Sequence, residues 1–139
     1  MIQIIAGEKG KGKTKILIDK ANADVLTAKG SIVYLDKSNK HMYELSNKIR
    51  LINVKDYFVE GDREFLGFIS GLISQDHDLS SVYLDGFLNI TGITAEELPE
   101  FLKKLDQISG AFEVDFIISL SAAPASLPES VKSYISVAL

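Results

Sequence analysis

Eight residues near the start of the chain, Gly7-Glu8-Lys9-Gly10-Lys11-Gly12-Lys13-Thr14, constrain its fold more than any other stretch. They follow Ile2-Gln3-Ile4-Ile5-Ala6, an apolar run of the kind that forms a strand covered on both faces. They precede residues 13–28, where Ile16, Leu17, Ala21, Val25 and Ala28 fall near helical spacing and Gly30 is placed to end the helix. Ser31-Ile32-Val33-Tyr34-Leu35-Asp36 then reads as a second strand closing on a carboxylate. Strand, helix and strand over this length make a βαβ unit, whose crossover is nearly always right-handed.

The remaining chain continues the alternation. Residues 38–48 are polar with a few apolar positions and suggest a short helix, and Ile49–Val54 a third strand. Asp62 is placed to cap a helix over 63–75, with Phe65, Phe68, Ile69, Leu72 and Ile73 as its apolar stripe. Ser81-Val82-Tyr83-Leu84-Asp85 is a fourth strand, again ending on a carboxylate. Thr94-Ala95-Glu96-Glu97 fits a capping box before a helix carrying Leu98, Phe101, Leu102, Leu105 and Ile108, although Pro99 in its first turns displaces or kinks the start. Phe116–Leu120 is a fifth strand, and Pro128 opens a short helix or turn before Tyr134–Leu139. The expectation is one domain over 1–139, a three-layer α/β/α fold with a mainly parallel sheet of five or six strands and ligands at the strands' carboxyl ends.

Composition narrows the chemistry. With no cysteine and only His41 and His77, thiolate sites, disulfides and an imidazole zinc site are excluded as expectations. Oxygen ligands, lysines and backbone amides remain. Residues 1–20 hold five lysines against Glu8 and Asp19, while the whole chain carries a net charge of −4. Positive charge is therefore concentrated where a small polyanion could sit, and no broad basic surface suits a nucleic-acid backbone. No apolar run is long enough to span a membrane, and the N-terminal residues lack secretory features, so a cytoplasmic protein without membrane insertion is expected.

Gly7, Gly12, Lys13 and Thr14 complete the pattern G-x-x-x-x-G-K-[ST]. Glycines let such a loop wrap with its amides inward, and the following helix points its positive end at the bound phosphates. The nucleotide-binding set expected from this pattern is Gly7, Glu8, Lys9, Gly10, Lys11, Gly12, Lys13, Thr14 and Lys15. Lys13 would reach the β- and γ-phosphates, and the Thr14 hydroxyl would ligate Mg²⁺. Phosphoryl-transfer sites of this kind use a further carboxylate at a strand end for the metal, a position that Asp85 fits and for which Asp36 competes.

On these residues the chain resembles the P-loop NTPases, and its element order is similar to the RecA-like branch that includes replicative-helicase ATPase cores. The resemblance is specific at 7–14 and, less so, at 82–85. It implies ATP and Mg²⁺ as ligands, Lys13 and Thr14 on the phosphates and metal, Asp85 as the metal carboxylate, and Ser119 or Ser121 as a polar sensor. The branch's catalytic glutamate has no counterpart here. Only Asp36 could stand in as a base, which implies slow or partner-dependent hydrolysis, or a non-hydrolysing regulatory module. The guanine-reading pattern N-K-x-D is missing, because neither Asn39-Lys40 nor Asn47-Lys48 is completed by aspartate. Two arginines, Arg50 and Arg63, supply no evident lid or finger, so a protein partner or a second copy could be needed to complete the site.

Overall fold

Five apolar, β-branched runs and a shorter sixth pair side by side in a computed structural model that describes all residues from Met1 to Leu139. The strands are β1 Ile2–Gly7, β2 Ser31–Asp36, β3 Ile49–Asn53, β4 Leu79–Leu84, β5 Asp115–Ser121 and β6 Ile135–Ala138. They form one sheet in the order β3-β2-β4-β5-β1-β6, every adjacent pair parallel. The helices are α1 Lys13–Asp24, α2 Gly61–Gln75, α3 Phe87–Thr91, α4 Leu98–Phe112 and α5 Glu129–Lys132. The architecture is a three-layer α/β/α fold, as parallel strands joined by helical crossovers require. No helix is long and apolar enough to cross a membrane.

The two faces of the sheet are covered unequally. Val33, Leu35, Val82, Leu84, Phe116, Ile118, Ile4 and Ala6 point into a large core shared with α2, α3 and α4, where Phe65, Phe87 and Phe101 pack edge to face or tilted. The alternate residues Ile5, Ile32, Tyr34, Tyr83 and Ile117 meet Leu17, Ile18 and Ala21 of α1 in a smaller core that also takes Leu45. Strand side chains alternate faces, so this parity carries on to the strand ends. Asp36 follows Tyr34, Asp85 follows Tyr83, and Ser119 and Ser121 follow Ile117, which brings all four to the α1 side.

Several local expectations are corrected. The first helix ends at Asp24 rather than Ala28, and Val25–Thr27 form a turn that leaves Leu26 exposed. Gly30 does not cap it. Its role is a close approach, since a Cβ there would lie 1.8 Å from the Asp78 carbonyl oxygen. Residues 38–48 are not a helix: Leu45 alone of them is buried, too little apolar surface to pay for ordering one. This segment is tied to α1 instead, with the Asn22 side chain donating to the Glu44 carbonyl (2.9 Å) and accepting from the Ser46 amide (2.8 Å). α2 begins two residues earlier than expected and Asp62 makes no cap; the Glu60 amide donates to Glu64 Oε1 at 2.9 Å. Only half of the Thr94–Glu97 box forms, with the Thr94 amide and hydroxyl both donating to Glu97 Oε1 while the Glu97 amide goes to the Thr94 carbonyl, and the regular helix starts at Leu98, one residue before Pro99. The short α3, directly after Asp85-Gly86, has no forerunner in the sequence reading.

Candidate functional site

The turn between β1 and α1 depends on backbone conformations that side chains resist. Gly10 and Gly12 have φ of 87° and 90°, in the left-handed region. With Gly12 as the residue before α1, the first amide to reach back along the helix is that of Ile16, to the Gly12 carbonyl. The preceding first-turn amides have no intrahelical acceptor, and no acidic side chain in that turn offsets the helix's positive end. Lys13 is buried, and its Nζ folds back to donate to the Glu8 carbonyl at 3.0 Å, closing the loop on itself. Burial lowers the Lys13 pKa, a tendency that the Asp85 charge opposes.

Asp85 stands just beyond β4, with its amide donating to the Leu35 carbonyl of β2 at 2.8 Å. Its carboxylate is clamped on both oxygens. Ser119 Oγ donates to Oδ1 at 2.8 Å, and Tyr34 Oη donates to Oδ2 at 2.9 Å. Burial and the neighbouring Asp85 raise the Tyr34 pKa, so the phenol keeps its proton and stays a donor. Tyr34 is itself stacked on Tyr83, its register partner on β4, with ring centroids 6.3 Å apart. The Tyr83 hydroxyl continues the arrangement to Asp24 Oδ2 on α1, at 2.8 Å.

These two tyrosines should respond differently to loss of their hydroxyls. Tyr34→Phe strands a buried carboxylate oxygen and is expected to cost about 2 kcal/mol, whereas Tyr83→Phe, at a partly exposed bond, is expected to cost under about 1 kcal/mol. Urea unfolding of the two variants checks the difference. Equal losses would show that the Asp85 clamp contributes nothing beyond an ordinary hydrogen bond.

Asp36, at the end of β2, is 4% exposed. Its Oδ1 accepts from the Lys37 amide at 2.7 Å, while the buried Oδ2 has no hydrogen-bond partner. Burial is the chief cause of its raised pKa; the Lys37 amide opposes the rise and Asp85 adds to it. An orphaned buried oxygen is rare in native proteins and marks a place where a ligand group, ion or water belongs.

Loop, helix start and both aspartates line one cleft of about 710 Å³ at the carboxyl ends of the central strands. Of the residues expected from sequence, Lys9, Gly10, Gly12, Lys13, Thr14, Asp36, Asp85 and Ser121 lie on its wall. Ser119 sits behind it as the Asp85 donor, and Glu8 contributes its carbonyl to Lys13. Gly7, as the last residue of β1, and Lys11 are not on the wall. Lys15 is also off the wall, two positions past Lys13 on α1, with its ammonium paired to Asp19 at 3.1 Å. His41 joins the wall with Lys37, Lys40 and Asn89. Sequence reading missed these neighbours because the 37–41 turn and α3 carry no motif. Tyr34 could have been found from parity alone, two residues before Asp36 on the chemical face. In comparisons with known proteins, no family model and no curated protein matches the chain.

Proposed function

We propose that this chain is a cytoplasmic P-loop protein of the RecA-like type that binds ATP with Mg²⁺ and hydrolyses it slowly or with a partner's help. The observation that carries this reading is the meeting, in one cleft, of the 7–14 loop, the uncompensated start of α1 and two strand-end aspartates. The donor set suits Mg²⁺: Thr14, Asp85 and Asp36 offer oxygen atoms, which this hard cation prefers. No three acidic or imidazole groups are placed to hold a metal ion by themselves, so a cation here would rely on phosphate oxygens and water as well, its usual mode with nucleotides. Bound Mg²⁺ would neutralise charge on the transferring phosphoryl group.

The chain's own residues have separable tasks. Loop amides and Lys13 would hold the phosphate chain, Thr14 and Asp85 the metal, and Ser119 with Tyr34 would keep Asp85 in one orientation. Asp36 is the group available to take a proton from an attacking water. The strand order supports the RecA-like reading, because β5, with its serines, lies between the loop strand β1 and the aspartate strand β4. Neither Arg50, in β3, nor Arg63, in α2, reaches the cleft wall, which favours a protein partner or second copy for efficient turnover. Phosphate release by the purified protein, with Lys13→Met and Asp36→Asn beside it, tests the reading. Turnover lost in both variants supports it; turnover unchanged in Lys13→Met sinks it; binding without turnover favours a non-hydrolysing module.

Asp36 also has a signature independent of catalysis. A folded-state pKa above the unfolded value means stability that is full below the unfolded pKa and lost as pH rises through the folded pKa. Asp36→Asn removes that charge and keeps an acceptor for the Lys37 amide. It should therefore melt about 3 °C above the parent at pH 7, the gap closing below about pH 4, in thermal scans.

A further inference from the structure

Fourteen residues line the cleft, and none is hydrophobic. That composition departs from ordinary organic-ligand pockets, which are mostly apolar and aromatic with a few polar groups to orient the ligand. A nucleobase gains its affinity by stacking on rings and apolar side chains, or by hydrogen bonds to its edge. Tyr34 and Tyr83 are buried against α1, and Tyr57 packs on Phe68. The exposed Tyr43, two residues after His41, is not among the wall residues. The charges, by contrast, are matched to a metal-bound triphosphate. Lys9, Lys13, Lys37 and Lys40 face Asp36 and Asp85 in the wall, an excess of two positive charges before His41 is counted. A nucleoside triphosphate with one Mg²⁺ carries about −2 near neutral pH.

We infer that this cleft recognises the Mg-triphosphate chain itself, so that ATP, GTP and inorganic tripolyphosphate compete for it on nearly equal terms. The inference rests on the triphosphate reading above and specifies its ligand class. The base of a bound nucleotide then projects from the cleft toward solvent and contributes little. An adjoining cavity of about 620 Å³ offers a competing seat. It shares Asn89 with the cleft and carries Phe58, an exposed ring at φ 59°, at its wall beside Val59 and Ile90. This cavity borders the residues after β3, at the sheet edge beyond Asp36, while the loop that would hold the phosphates follows β1, with β2, β4 and β5 in between. A chain held at the loop and running toward Asp85 and Asp36 would bring its terminal phosphate, not its base, nearest that cavity.

Calorimetric titration of the full chain with Mg-ATP, Mg-GTP and Mg-tripolyphosphate in one buffer tests this directly. The expected result is three dissociation constants within about tenfold of one another, where a base-reading site would separate them by orders of magnitude. ATP binding at least about 100-fold tighter than tripolyphosphate or GTP would overturn the inference while leaving the triphosphate site intact. If none of the three binds at millimolar concentration, the triphosphate reading itself is wrong. Phe58→Ala supplies a second measurement on a residue that bears little on folding, being 89% exposed. Unchanged affinities for all three ligands are expected; a tenfold loss for ATP alone would place the base on Phe58 and refute the inference.

Discussion

Lys13→Met is expected to weaken Mg-ATP binding by about 100-fold, near 3 kcal/mol, because it removes a charge-assisted contact from a site where water is partly excluded. The substitution keeps the buried stem and deletes only the ammonium that now caps the Glu8 carbonyl. Stability should move the other way. A lysine whose folded pKa is lowered by burial is a charged group held at a cost, and between the folded and unfolded pKa values the unfolded chain holds more protons. Stability of the parent should thus rise with pH across that alkaline window, and the rise should vanish in Lys13→Met. Calorimetric titration with Mg-ATP and melting between pH 7 and 11 check both halves. A variant that still binds within threefold of the parent would show that Lys13 serves only to brace the loop.

Gly30→Ala should be the most damaging single methyl in the chain, costing on the order of 4 kcal/mol and about 12 °C in melting temperature. Its Cβ would sit 1.8 Å from the Asp78 carbonyl oxygen and 2.9 Å from the carbonyl carbon, both backbone atoms that cannot swing aside. Relief requires parting the Ser31 amide from that same carbonyl, a 2.8 Å bond at the entry to the β2–β4 pairing. Those strands deliver Asp36 and Asp85 at their other ends, so damage at the entry should loosen the site as well. Differential scanning calorimetry of Gly30→Ala beside Gly71→Ala, a helical glycine with nothing within 4 Å of its Cβ position, gives the contrast. Similar melting temperatures for the two would mean that the 29–31 and 77–79 segments separate freely.

The Gly30 case also shows where sequence reading reaches its limit. As a residue following a helical pattern it looks like a cap, where alanine costs about 1 kcal/mol for the left-handed conformation, and only the tertiary path of residues 76–79 reveals the clash. Strand identities were legible because Ile2–Ala6, Ser31–Asp36, Ser81–Leu84 and Phe116–Leu120 are compact apolar runs between turn residues. Their lateral order was not, since pairing of β5 between β1 and β4 is a long-range choice with no local signature. Within the site, the loop and the two aspartates could be found from motif and position. Lys37, Lys40, His41 and Asn89 enter through a turn and a five-residue helix too short to show periodicity. The misassigned helix over 38–48 has a tertiary cause: a neighbouring side chain, Asn22, decides the outcome there rather than the local pattern.

The unequal cover of the sheet has a mechanical corollary. On the side where all the polar strand ends emerge, a single rod of twelve residues, about 18 Å long, is the only helical roof. Its near end forms the grip of the cleft, and its far end is pinned by the Tyr83 hydroxyl at Asp24. No second helix braces that grip, so its position rests on the packing of α1 against the sheet and on the ties of Asn22 and Asp24 near the helix's far end.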